Sequence, residues 1–298
     1  MKRRQFTRYL GQRLAAVGLS PLLTHCDRAD HRSSQSGRPY QSLPRLTSQN
    51  GVLEASLTAQ SQSQTIGLGY SGHAPGPILE ARPGDTVRLT LLNELDTSTN
   101  LHFHGLHISP EIDNVFREVA AGSSYTYEFQ IPLSHPAITG WYHPHYHGLV
   151  AQQVFGGLAG PIIIRGDLDD IPEIQQAEEA LLVLQDFDAA LVESPEILSP
   201  LAKKWGREGS ILLASGQQNP IIEIPQKGLL RLRLINASAS RSYQLQLKDH
   251  PWHLIATDRG AIAEPIELDT LSLSPGERAE LLIPGQLDSG DCPSLSLP

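Results

Sequence analysis

Leu101-His102-Phe103-His104-Gly105-Leu106 and Trp141-Tyr142-His143-Pro144-His145 decide how this chain reads. In an extended strand, alternate side chains project to the same face, so each stretch presents two imidazoles side by side. Neutral imidazole is a ligand suited to copper or zinc. The chain holds 12 His in 298 residues, from which random placement gives roughly half of one His-x-His pair. Three occur, counting His145 with His147. The pairs therefore point to a metal site carried on two β-strands.

The surroundings support strands. No long stretch keeps a helical period, and short apolar runs punctuated by Gly, Pro and Asn recur instead, as in a β-sandwich. Expected strands include Val52–Thr58, Thr86–Leu92, Tyr125–Ile131, Leu230–Ile235, Tyr243–Leu247 and Ala279–Ile283. A helical turn or two is expected after Gly148, and another over Ile171 to Ala180.

The chain also repeats itself. Pro77-Ile78-Leu79-Glu80 matches Pro220-Ile221-Ile222-Glu223, and at the same offset Arg88-Leu89, Leu91 and Asn93 match Arg231-Leu232, Leu234 and Asn236. Such duplication implies two copies of one fold. The fold class is all-β, with a Greek-key β-sandwich over 49–166 and a second over 167–298. In copy one, Gly122 opens a turn into a strand ending at Ile131-Pro132; in copy two, Gly276 leads into one ending at Ile283-Pro284. Copy one then continues through the His143/His145 strand to Ile162–Ile164, whereas Gly285 to Pro298 carries no strand pattern. The second sandwich is expected to lack its closing strands, leaving an open edge and an uncovered apolar face.

With these motifs the chain resembles the multicopper oxidases: laccases, cuprous oxidases, bilirubin oxidases and ascorbate oxidase. The resemblance runs from about Pro77 to Pro284. It is most specific at Leu101 to Leu106, and from Trp141 through His143, His145 and Gly148 to Gly157-Leu158-Ala159-Gly160. Phe103 stands where the family often has Trp, a departure that touches no ligand. The resemblance implies that both sandwiches are cupredoxin domains. It also implies that His102 is the ligand of a type 2 copper, and His104, His143 and His145 ligands of a type 3 pair. Asp113 falls where family members carry an Asp close to the cluster, thought to deliver protons during oxygen reduction. A carboxylate there can relay protons or hold a coordinated water; a solvated loop carboxylate in Glu111-Ile112-Asp113-Asn114 is the other reading. His107 and His147 lie outside the family's ligand set, and His73, His135, His250 and His253 read as surface or packing residues.

The resemblance further implies an oxidoreductase that couples one-electron oxidation of a phenolic or metal-ion substrate to reduction of dioxygen to water. A type 1 copper, where electrons enter, needs a Cys thiolate with two His. The family's His-Cys-His motif is absent, and Cys292 in Gly290-Asp291-Cys292-Pro293 has no His nearby. Typical members continue into a third domain that holds the type 1 site and the remaining cluster ligands. The chain thus reads as an N-terminal part with a type 2 and type 3 half-site. Its expected partner is a polypeptide carrying the third domain, with dioxygen and a small reducing substrate once complete. The alternative is a non-catalytic exported cupredoxin protein that binds copper or a protein partner.

A net charge of −9 without a basic tract argues against nucleic acid. The hydrophobic fraction of 40% and charged fraction of 18% are those of a soluble globular protein. Residues 1–26 read as an export signal: Lys2, Arg3, Arg4, Arg8 and Arg13 are basic, and Leu14 to Leu23 is apolar but too short to span a bilayer. Arg3-Arg4-Gln5-Phe6 resembles a twin-arginine signal, the route for proteins exported already folded. Leu23-Thr24-His25-Cys26 resembles a lipoprotein cleavage box, with His25 a poor fit. The expected location is periplasmic, with a lipid anchor at Cys26 as one form of it. The other Cys, Cys292, lies in a polar tail, so no structural disulfide is expected. Residues 27–48, rich in Ser, Arg and Gln, read as a linker.

Overall fold

The computed structural model describes residues 37–62, 67–188, 204, 206–248 and 250–285, together with the backbone of Ser294–Leu295. The export signal, Cys26 and Cys292 lie outside the described residues. Twenty strands run in the order β1 (Arg38–Pro39), β2 (Arg45–Thr47), β3 (Val52–Ser61), β4 (Leu68–Tyr70), β5 (Ile78–Ala81), β6 (Thr86–Asn93), β7 (His102–His104), β8 (Ser124–Gln130), β9 (Ile138–His143) and β10 (Gly160–Ile164). They continue with β11 (Glu178–Phe187), β12 (Ile211–Ala214), β13 (Pro220–Glu223), β14 (Leu229–Asn236), β15 (Tyr243–Leu245), β16 (Trp252–Thr257), β17 (Gly260–Leu268), β18 (Leu271–Leu273), β19 (Arg278–Pro284) and β20 (Ser294–Leu295). Among the described residues these strands are joined by two short helices, α1 (Val150–Phe155) and α2 (Pro172–Gln175).

The duplication is visible in the sheets. The first sandwich has a sheet ordered β4-β3-β6-β8 and the second a sheet that begins β12-β11-β14-β19. In both, the central pair is parallel and its outer neighbours antiparallel. The repeated Asn explains why both copies turn alike. Asn93 Nδ2 donates to the carbonyls of Thr97 and Val119, and its Oδ1 accepts from Leu95 N. Asn236 makes the same bonds to Arg241, Leu273 and Ser238. Both side chains are fully buried, where an unpaired amide would cost on the order of 1–3 kcal/mol.

The other sheet of the first sandwich, β2-β5-β10-β9-β7, carries both histidine strands. It packs on the sheet of β11, β14 and β19: Ile78, Trp141 and Ile163 meet Leu181, Val183 and Ile235. β10 and β14 are thus covered on both faces: β10 is accordingly a continuous apolar run, whereas β14 alternates Leu with the buried Arg231 and Arg233. The same face of β14 presents Arg231 and Arg233. They are buried against Asp169, Glu179 and Glu280, with Arg165 and Thr139 of the first sandwich completing the network. Burial alone would raise both carboxyls, but the guanidiniums of Arg233, Arg165 and Arg231 hold Glu179, and those of Arg233 and Arg231 hold Glu280, below the usual carboxylate range.

Three expectations change. Residues 37–48 are not a free linker, because β1 pairs parallel with β13 of the second sandwich and β2 parallel with β5 of the first. Tyr40 fastens this strap by donating its hydroxyl to Leu181 O at 2.8 Å. The helix expected to Ala180 stops at Gln175, since Glu178 already pairs with Leu230. Strand β11, the β16–β17 hairpin and β18 arise from residues not read as strands. In the second sandwich, the described residues hold no counterpart of β9 and β10. β13 instead pairs with β1 and β20, and β15 only with β18. An opening lined by Leu184, Leu212, Tyr243 and Leu245 lies there.

Candidate metal centre

Strand β7 is short because its work is local: Phe103 turns into the core, while His102 and His104 turn to the other face. Its antiparallel register with β9 sets His102 opposite His143 and His104 opposite Trp141. The side-chain nitrogens of His102, His104 and His143 lie within 4.8 Å of one another. His145 follows just past the end of β9, its ring centroid 5.1 Å from that of His102 and 6.0 Å from that of His143. The structure thus brings all four expected histidines together. It also brings Asp113 to them: both carboxylate oxygens lie within 3.0 Å of His102 Nδ1.

The hydrogen bonds leave metal-ready nitrogens. His102 Nδ1 donates to Asp113, which leaves Nε2 with a free lone pair. His143 Nδ1 donates to its neighbour Pro144 O at 2.8 Å. His143 Nε2 is buried and has no hydrogen-bond partner. An orphaned acceptor of this kind costs on the order of 1–3 kcal/mol, which a bound cation would offset. Burial, then the positive potential of His102 and Arg278, lowers His104 to about 4. Burial, then His104 and His102, puts His143 well below the ordinary value. Both rings are therefore neutral near pH 7, the form that ligates metals. The donor set fits copper, a metal that imidazole binds well.

Several supporting residues were not legible beforehand. Trp141 stacks on His143 with centroids 4.2 Å apart and on His104 at 4.8 Å, forming the floor of the site. Buried Asn100 accepts from His145 N at 2.6 Å and donates to the carbonyls of Val115 and Arg117, fixing the loop that delivers Asp113. Arg278 and Gly276 approach from the second sandwich. The histidines set aside fall elsewhere. His135 Nε2 accepts from His107 N and its Nδ1 donates to Pro136 O, His250 donates to Pro284 O, and His147 is exposed.

Comparison with known proteins agrees with this geometry. Two family models described as multicopper oxidase match residues 52–169 and 137–290. Among solved structures, a Campylobacter jejuni multicopper oxidase described as a metallo-oxidase superposes with a TM-score of 0.73 at 28% identity, over 84% of this chain and 54% of its own. The laccase-like CueO of an Ochrobactrum species gives 0.71 at 27%, over 87% and 62%. Curated relatives carry another description. The cell division protein FtsP of Photorhabdus laumondii is 32% identical over 94% of this chain, and that of Escherichia coli K12 31% identical over 98%. The chain spans 59% and 61% of these two relatives. On the matched sequence, the duplicated sandwiches and the shared architecture, the chain belongs to the multicopper oxidase family.

Proposed function

We propose that the chain is a copper-binding part of an exported, multicopper oxidase-like oxidoreductase, supplying His102, His104, His143 and His145 to a type 2 and type 3 half-site. The observation that carries this reading is the buried, unpartnered Nε2 of His143, among three further imidazoles. Copper held there supplies the one-electron redox chemistry with which the family reduces dioxygen. The chain's own residues do the rest. Asp113 fixes the His102 tautomer and is placed to hold or pass a proton at Oδ2. Trp141 keeps water from beneath His143 and His104. The family's His-Cys-His motif does not occur in this sequence, so electron entry is assigned to a third domain outside these residues.

Copper analysis after dialysis, on the wild type and a His143→Ala/His145→Ala variant, tests the assignment. The expected result is retention by the wild type and loss in the variant; equal copper in both would sink it. A second reading rests on the FtsP relatives, which are named for cell division. In it the chain is a periplasmic cupredoxin protein that acts by protein contact, without turnover. A folded chain that takes up no copper is the outcome that favours this second reading.

A further inference from the structure

We infer that Arg278 is a positioning residue of the metal centre, a guanidinium of the second sandwich that fixes the two histidine strands of the first. Its functional meaning rests on the copper reading above. Arg278 opens β19 and is 7% exposed. Its Nε donates to Thr139 O on β9, two residues before Trp141, at 3.2 Å. Nη1 donates to Gly276 O and pairs with the Asp258 carboxylate at 2.7 Å, and Nη2 donates to Asp258 O at 2.9 Å. Nη2 also lies against Gly105, where a Cβ would meet it at 2.9 Å. Gly105 directly follows His104 and has a φ of +95°, so no side chain is tolerated there on either count. One guanidinium therefore bonds the backbone of β9 and sits beside Gly105, the residue that follows β7.

The turn that carries Arg278 completes the wall. At Gly276, with a φ of +85°, the Cβ position lies 3.6 Å from His104 Cε1 and 4.0 Å from Trp141 Cζ2. His102 and His143 are each oriented through Nδ1, by Asp113 and by Pro144 O. His104 is instead wedged between Trp141 and this turn, so its orientation follows the position of the second sandwich. Only a forked donor can reach the Thr139 and Asp258 carbonyls together; the ammonium of Lys cannot. The centre is thereby assembled across the boundary between the two sandwiches.

The test uses the full chain with Arg278→Gln and Arg278→Lys. Copper competition titration, the Cu(II) spin-resonance spectrum and hydrogen exchange over residues 138–143 are compared with the wild type. For Arg278→Gln we expect roughly tenfold to a hundredfold weaker copper binding, the range for loss of a residue that orients a ligand. A changed spin-resonance spectrum and faster exchange should accompany it at unchanged circular dichroism. Arg278→Lys, which keeps the charge beside Asp258, should recover the fold but not the spectrum. Wild-type affinity, spectrum and exchange in both variants would overturn the inference. If the wild type itself binds no copper, the functional reading fails, and exchange over 138–143 alone decides: faster supports the role of Arg278, unchanged removes it. If Arg278→Gln does not fold, Arg278→Lys carries the same two outcomes.

Discussion

Asp113 reaches His102 from a loop, and the contact sets which ring nitrogen is left bare. Asp113→Ala should leave the fold intact and weaken copper binding by roughly tenfold or more, read by competition titration. Two buried imidazoles also predict how the metal-free chain meets acid. His104 is held at about 4 in the fold, against 6.5 when unfolded, and His143 is lowered in the same direction. The unfolded chain therefore takes up these protons first as the pH falls. Their contribution is full above about pH 6.5 and lost progressively toward pH 4, on the order of 3 kcal/mol for His104. Urea midpoints of the metal-free chain at pH 7 and pH 5 should fall accordingly, and a His104→Gln variant should fall less. The four clustered histidines were legible in sequence because His-x-His is a local pattern that a strand converts directly into a shared face. Asn100 and Arg278 were not, since they act across 45 and 139 residues of chain.

Repeat-related strands give a controlled comparison between β6 and β14. Arg88 pairs with Glu128 on an open sheet face, with side chains 42% and 55% exposed. Its counterpart Arg231 pairs with Glu280 at 3% and 2% exposure. Solvent screens the first pair, whereas breaking the second strands buried guanidiniums. Glu280→Gln should destabilise by about 3–5 kcal/mol, whereas Glu128→Gln should leave the unfolding midpoint nearly unchanged, measured by denaturant unfolding. Strand β6 was legible because it has one wet face and alternates in burial residue by residue, and the buried β14 and β19 because they repeat the pattern of the first copy. Strand β11 escaped because packing covers both of its faces and erases alternation, leaving an apolar run that follows a helix-like segment. The β16–β17 hairpin escaped because Glu264, Pro265 and Glu267 interrupt its outer strand, so no regular apolar alternation marks it.

At the scale of the molecule, the strand edges left unpaired among the described residues of the second sandwich bear on the behaviour of the chain alone. It should elute as oligomers in size-exclusion chromatography, since unpaired strand edges seek partners; a sharp monomer peak would contradict this. Copper bound by imidazole alone should give pale absorption and no oxygen uptake with laccase substrates, whereas an intense blue band would refute the absence of a thiolate site. The strap of β1 and β2 bears on a different matter, the timing of events. Arg38 finds its partner at Pro220, so a segment synthesised early can be seated only after β13 of the second sandwich exists. Pulse-labelling during refolding should show the Tyr40 amide, bonded to Ile221 O at 2.9 Å, becoming protected together with β13 and not before. Residues 37–48 would then be free or clasped according to whether the second sandwich has folded, so that the first strands of the fold report on the state of β13.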